Sequence, residues 1–215
     1  MQPYFFPYLG YFQLMNAVDL WVNMDHATFI KKGFMHKNTV VGDQTIRLPL
    51  LGASQNLNTR EIKVDYESKQ LNKLLLTLEH RYAKAPYFEV AKNMLEESIA
   101  ARPDSLAAFN WSIIQKIHAY LGMDTQLVDT SIGRTDLKKA DGMLDIASQF
   151  GAERIINPSG GAQIYDKSYF NERGIPIDFI NMVVKSEEDG LSIFHHLCHY
   201  PEAELKVRLT EFELL

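Results

Sequence analysis

The sequence predicts an α/β fold: a mostly parallel central sheet with flanking helices, a small β-hairpin and a helical insertion. Three observations carry this. In the last third of the chain, strand-like and helix-like segments alternate, as in parallel sheets covered by helices. Between about residues 66 and 122 the apolar residues recur at helical spacing, with no strand signal among them. Two β-like runs flank Gly42-Asp43, a hairpin signal weaker than Asn-Gly. The expected organisation is one domain over 1–215, with the helices of about 66–122 as a subdomain against one end of the sheet.

The elements follow in order. Met1 leads directly into Gln2-Pro3-Tyr4-Phe5-Phe6-Pro7-Tyr8, an aromatic loop whose prolines disfavour helix in the residues before them. Tyr11 to Val18 reads as a short helix with Phe12, Leu14, Met15 and Val18 on its apolar face. Leu20 to Met24 reads as a strand, and Asp25 to Gly33 as a loop. Thr39–Val41 and Thr45–Leu50 form the hairpin, and Arg60–Val64 a further strand. Ser68 to Arg81 carries Leu71, Leu74, Leu75 and Leu78 at helical spacing. Pro86 suits the first turn of a second helix reaching about Ala100. Pro103-Asp104-Ser105 opens a third, which stops at Gly122. These apolar stripes read as core packing. Then come a strand at Gln126–Asp129, a helix at Asp136–Phe150 closed by Gly151, and a strand at Arg154–Ile156. Pro158-Ser159-Gly160-Gly161 reads as a turn, Lys167–Arg173 as helix, Pro176–Ile180 as strand and Leu191–His199 as helix.

Composition narrows the class. With 46% hydrophobic and 23% charged residues the chain is an ordinary globular protein. Its length supports a core without disulfides or metal. Cys198 is the one cysteine, which forbids an intrachain disulfide and fits a reducing compartment, so a cytoplasmic location is expected. No apolar run of about 18 residues is present to span a membrane. The opening lacks the basic stretch and apolar core of a signal peptide. A net charge of −5 argues against general nucleic-acid binding. Lys31, Lys32 and Lys37 form a local basic cluster, suited to a phosphate-bearing small molecule or simply a solvated loop.

In open parallel sheets ligands bind beyond the carboxyl ends of the strands. The segments expected there carry Gln2, Tyr4, Tyr8 and Tyr11; Asp25, His26 and Lys31; Thr130-Ser131; and Asn157-Pro158-Ser159-Gly160-Gly161. Asp25 can orient a hydroxyl or amine, act as a base, or merely cap a loop. Tyr4, Tyr8 and Tyr11 can form a stacking wall or a packing loop. Ser159-Gly160-Gly161 can bring backbone N–H groups close to a phosphate or carboxylate, or be a structural turn. His195 and His199 have the i, i+4 spacing of metal ligands, but no third ligand follows. They read as surface or half-buried histidines, and no metal is expected. Cys198 reads as a small core residue. No Walker loop, strand-linked GxGxxG or GxSxG occurs, so no cofactor is implied.

The run Gln2-Pro3-Tyr4-Phe5-Phe6-Pro7-Tyr8-Leu9-Gly10-Tyr11-Phe12 closely resembles the opening signature of the WbqC-like family. The resemblance continues through Val18-Asp19, Asp25, Phe29, Lys31 and Asn38, and through the Thr45–Leu50 strand. It is also carried by Tyr82-Ala83-Lys84-Ala85-Pro86-Tyr87-Phe88, by Ser159-Gly160-Gly161 with Tyr165, and by Leu191-Ser192-Ile193. Three departures stand out. Most of the strand that usually precedes Gln-Pro is missing, His26 and His36 stand where many relatives carry Asp and Asn, and His195 replaces a common acidic residue.

The resemblance implies a protein of O-antigen or other surface-glycan synthesis, a class in which some members are described as glycine or aminoacyl transferases. The expected activity is N-acyl or aminoacyl transfer to the amino group of a nucleotide-linked sugar. In this reading Asp25 and Lys31 are the catalytic residues. Gln2, Tyr4, Tyr8, Tyr11, Asn38, Ser131, Ser159, Gly160, Gly161 and Tyr165 bind substrate. A variant uses ATP to activate the donor carboxylate. The alternative is a non-catalytic protein of the same pathway that binds a nucleotide sugar or a partner enzyme.

Overall fold

The computed structural model describes residues 1–129, 139–183 and 185–215. Helix α1 (Leu9–Asn16) is buried at every position from Leu9 to Met15. A helix that is apolar all round belongs inside a protein. It starts two residues ahead of Tyr11, because Pro7 and the extended Tyr8 turn the chain straight into it.

Strand β1 (Leu20–Asn23) pairs in parallel with β6 (Gln126–Asp129), Leu20 opposite Gln126 and Asn23 opposite Asp129. On the other edge of β1 the Met1 amine donates to the Val22 carbonyl at 2.7 Å, and the Met1 carbonyl accepts from Met24 N–H at 2.8 Å. That is the bonding of one parallel bridge. The hairpin joins β2 (Lys37–Val40) to β3 (Gln44–Arg47). Its turn holds Gly42 and Asp43 at φ of 71° and 53°, which explains why these residue types occupy it. Short strands β4 (Leu50–Leu51) and β5 (Lys63–Val64) pair antiparallel.

Helices α2 (Lys69–Tyr82), α3 (Phe88–Ala101) and α4 (Leu106–Tyr120) follow. Ser68 and Ser105 cap α2 and α4, their side chains accepting from Gln70 N–H and Ala108 N–H. Gly122, at φ 56°, ends the third helix as the sequence predicts. Beyond them lie α5 (Lys139–Gln149), β7 (Ile155–Pro158), α6 (Lys167–Asn171), β8 (Ile177–Met182), α7 (Ile193–His199), α8 (Glu202–Arg208) and β9 (Phe212–Leu214). β7 and β8 run parallel, and β9 returns antiparallel to β8.

The expected mostly parallel central sheet therefore needs correction. Among the described residues the strands form separate small sheets, and parallel pairing is confined to β1 with β6 and β7 with β8. The physical reason lies in the opening loop. Residues 2–8 run through the interior, but Pro3 and Pro7 have no N–H to give to a ladder, so the loop cannot serve as a strand. The main core gathers this loop, α1, the hairpin, α2 to α4 and α7 around Phe5, Phe6, Phe12, Phe109 and Phe194. A smaller cluster of Leu144, Phe170, Ile177 and Phe179 packs under α5 and α6.

Side chains hold the loop where strands cannot. Asn38 Nδ2 donates to the Phe5 and Phe6 carbonyls at 3.2 and 2.6 Å, and its Oδ1 accepts from Thr39 N–H. Ser192 Oγ donates to the same Phe6 carbonyl at 2.7 Å. Asn110 Nδ2 donates to the Pro3 and Met35 carbonyls at 3.0 and 2.7 Å. Stranding a buried backbone group costs about 1–3 kcal/mol. Asn38→Leu strands more than one, so urea unfolding should show a loss of about 3 kcal/mol or more. The exposed control Asn56→Ala should change stability by less than about 0.5 kcal/mol.

Candidate functional site

Polar residues follow the carboxyl end of each parallel strand. Asp25 and His26 lie past β1, Asp129 closes β6, Ser159 follows β7, and Asn181 is the next-to-last residue of β8. The aromatic loop runs alongside. Tyr4 and Tyr8 are half-buried, and Tyr4 donates to Gln2 Oε1 at 3.1 Å. Burial, and then the neighbouring Tyr8 hydroxyl, raise the pKa of Tyr4. The Tyr4 ring lies 6.1 Å from exposed Phe34 and 5.8 Å from Tyr11.

Two residues expected to bind substrate are instead built into the protein. Tyr11 is 1% exposed, packs edge-on to Trp21 at 4.9 Å and donates to the Gln2 carbonyl. Asn38 has its amide engaged by the Phe5, Phe6 and Thr39 backbone. Both shape the loop from beneath. Lys31 is exposed on the turn before Phe34. Ser131 lies outside the described residues.

Asp25 is held on several sides. Arg60 Nη2 approaches its Oδ1 at 2.5 Å, and Thr59 Oγ1 donates to its carbonyl. His26 Nδ1 stands 3.8 Å from the same Oδ1. Burial lowers the His26 pKa, which the Asp25 charge partly offsets, so at neutral pH the imidazole is uncharged. Nearby, Asn23 Nδ2 donates to Asp129 Oδ1 at 2.9 Å and ties the ends of β1 and β6 together. Arg60 is the neighbour that sequence reasoning left out of this cluster, whereas His26 was expected beside Asp25 at the rim. Arg60 is distant in the chain, and the Thr59 bonds to Asp25 and Ala27, with the Thr28–Asn58 bridge and the Phe29 bond to Leu57, bring it there.

Past β7, Ser159–Gln163 forms a 3-10 turn. Gly161 is buried, and a Cβ there would stand 2.8 Å from Asn157 Oδ1, so this glycine serves close packing. Gly160 is exposed with open space about it. Tyr165 packs edge-on to Phe170 at 6.0 Å. Between this turn, the start of α1 and the end of β8 lies a cavity of about 180 Å³, bordered by Tyr8, Gly10, Gln13, Ser159, Asn181 and Met182. It brings together Tyr8 and Ser159 from the expected set and adds Gln13 and Asn181, which sequence reasoning missed.

The histidines of α7 are a correction. His195 and His196 are buried at 2% and 0% exposure rather than surface or half-buried, because α7 packs on α3 and beneath the aromatic loop. His195 Nδ1 faces the Tyr82 hydroxyl at 3.3 Å, and its Nε2 lies 3.4 Å from Glu188. Among the described residues no group of three or more His, Cys, Asp or Glu could hold a metal. Cys198 is buried, as the sequence predicts, and burial pushes its thiol pKa far up.

With this geometry in place, the comparisons with known proteins fix the family. The WbqC-like protein family model matches residues 2–192, and the chain belongs to that family. It is also similar to the uncharacterized protein Rv1507c of Mycobacterium tuberculosis, at 23% identity over 190 residues, covering 84% of this chain and 80% of that protein. No solved structure matches. No helix among the described residues is long and apolar enough to cross a membrane.

The buried histidines set a pH dependence. Burial, followed by His195 and Arg208, lowers the His196 pKa to about 3. Burial, followed by Arg47 and Lys37, lowers that of His36 to about 4. Each is below the unfolded value of about 6.5. The stability these neutral rings lend is present above pH 6.5 and drains away as pH falls toward 4 and 3. The urea midpoint should therefore drop between pH 7 and 5. His196→Gln should flatten that drop, and an unchanged slope would show that His196 does not titrate on unfolding.

Proposed function

We propose that the protein transfers an acyl or aminoacyl group, such as glycyl, to the amino group of a nucleotide-linked sugar in surface-polysaccharide synthesis. Membership of the WbqC-like family motivates the class. The observation that carries it to this chain is the Asp25–His26 pair past β1, a carboxylate and a neutral imidazole within 3.8 Å of each other.

An amine attacks an activated carbonyl only as the free base, and the new N–C bond is complete only once the nitrogen has lost a proton. In this reading His26 takes that proton. Asp25, neutralised in part by Arg60, orients the imidazole and the incoming amine. The donor's leaving group departs as the amide forms. The donor arrives already activated, or ATP converts its carboxylate to an adenylate. Lys31 and the exposed Gly160 backbone are placed in the role of phosphate contacts. Tyr4, Tyr8, Gln2 and Ser159 line the sugar side. The protein works in the cytoplasm, where nucleotide sugars are made.

A second reading is favoured by the Arg60 contact, which already engages the Asp25 carboxylate and leaves less of it open to an incoming amine. In it the chain binds a nucleotide sugar without chemistry. Incubation with nucleotide-linked amino sugars and activated glycine, followed by mass spectrometry, separates the two. Transfer predicts an amide product, lost by about 10²-fold or more in His26→Gln and in Asp25→Asn. Full turnover in both variants would remove the assigned roles. Saturable binding with no product would establish the second reading.

A further inference from the structure

The cavity between α1, the turn after β7 and the end of β8 has a chemistry of its own. None of the described residues that line it is charged. Its volume of about 180 Å³ leaves room for one small ring. The wall is mixed: the Tyr8 ring and the Met182 thioether supply apolar surface, while Gln13, Ser159 and Asn181 supply amide and hydroxyl groups.

The glycine at the start of α1 makes this wall possible. A Cβ on Gly10 would stand 2.5 Å from the Tyr8 ring and 3.4 Å from Met182 Sδ. Only a glycine lets the ring fold back over the first turn of the helix and lets Met182 approach it. Gln13 lies one turn on, three residues from Gly10 and therefore on the same face. It is 1% exposed. Its Nε2 donates to the Arg208 and Glu211 carbonyls at 2.8 and 2.9 Å, which uses both amide hydrogens and fixes the orientation of the group. Its Oε1 is left without a hydrogen-bond partner among the described residues. A buried, unpaired amide oxygen is costly, and one that borders a cavity invites a donor.

We infer that this cavity is a binding site for a single uncharged, hydroxyl-bearing ring of monosaccharide size. One ring hydroxyl donates to Gln13 Oε1, and the carbon face of the ring lies on Tyr8. Ser159 and Asn181 hold the hydroxyls nearer the mouth. The Gln13 oxygen is covered, so the hydroxyl reaches it only as side chains of the cavity wall shift. The absence of charge among the described lining residues disfavours phosphate and carboxylate there, which places any nucleotide portion of a larger ligand outside. The site shares Tyr8 and Ser159 with the transfer reaction proposed above and deepens that reading, but it is tested by binding alone. Failure of transfer with sugar binding intact would leave it standing.

The experiment is saturation-transfer NMR on the full chain with glucose and N-acetylglucosamine, with glycine and AMP as controls. At least one of the two sugars should bind, and neither control should share the site. Asn181 is exposed, so Asn181→Trp leaves the fold intact while its side chain fills the mouth. That variant should weaken sugar binding by about tenfold or more with an unchanged melting temperature. Gln13→Met removes the acceptor while matching its length. It should weaken binding too, and it is scored only against its own melting curve because it also frees two carbonyls. The inference fails if neither sugar binds, if Asn181→Trp binds as the parent does, or if glycine or AMP is displaced from the same site by that substitution.

Discussion

Phe6 sits in the core with a backbone φ of 42°, a conformation that costs a non-glycine residue energy and persists only where its surroundings hold it. What holds it is its own carbonyl, which accepts from both Asn38 Nδ2 and Ser192 Oγ. Asn38 lies in β2 and Ser192 caps α7, so this single oxygen ties together the hairpin, the last third of the chain and the opening loop. The left-handed turn at Phe6 is what allows Phe5 and Phe6 to enter the core edge to face at 5.3 Å, with Phe6 meeting Phe194 at 5.2 Å.

The consequences run directly to the rim. Once Phe6 is fixed, Pro7 presents its carbonyl to Ile193 N–H at 2.7 Å, and Tyr8 bridges antiparallel to Ser192. Tyr8 is then set as the residue that opens α1, with its ring folded over Gly10. Upstream, Gln2 gives its carbonyl to Tyr11 and its side chain to Tyr4. The loop is thus apolar on the side facing the core and polar on the side facing the strand ends. A loop of this kind is more rigid than one on the surface, because bonds from side chains and backbone stand in for the ladder that its prolines forbid. Rigidity there matters for any site built on Tyr4 and Tyr8, since poorly held side chains bind weakly.

How much of this was legible in the sequence follows from the range of the interactions. The capping serines Ser68 and Ser105, the Gly42-Asp43 turn, the stop at Gly122 and the β6 strand are local, and residue type with spacing reveals them. The family signature located the aromatic loop and the Ser159 turn. The role of Asn38 was not legible, because an asparagine in a β-hairpin gives no sign that its partners lie 32 and 33 residues away. Tyr11 looked like its neighbours Tyr4 and Tyr8, and only the Trp21 contact and helix packing place it in the core. The sheet was overestimated for a related reason. Alternating strand and helix patterns predict parallel strands correctly for β1 with β6 and β7 with β8, but pattern cannot show how far that pairing extends. Helix α8 and strand β9 lie past the last helix read from the sequence, and Gln13 matters only because they bring the Arg208 and Glu211 carbonyls to it.

The same amide chemistry is used three times in this interior, and its differences are informative. A buried ionic group would cost more than a neutral amide to desolvate, which favours Asn and Gln for tying carbonyls together. Asn38 satisfies both ends of its amide, with two carbonyls on nitrogen and Thr39 N–H on oxygen. Asn110 and Gln13 each spend the nitrogen on two carbonyls and leave the oxygen unpaired among the described residues. Asn110 is wholly enclosed at 0% exposure, so its oxygen is the cost of fastening Pro3 and Met35. Gln13 borders a cavity, and its oxygen can be satisfied by something that enters. An unpaired acceptor in a closed core only destabilises, whereas one beside an opening stores free energy that a ligand can recover. This difference in surroundings, rather than any difference in residue type, is why Gln13 marks a binding site and Asn110 does not.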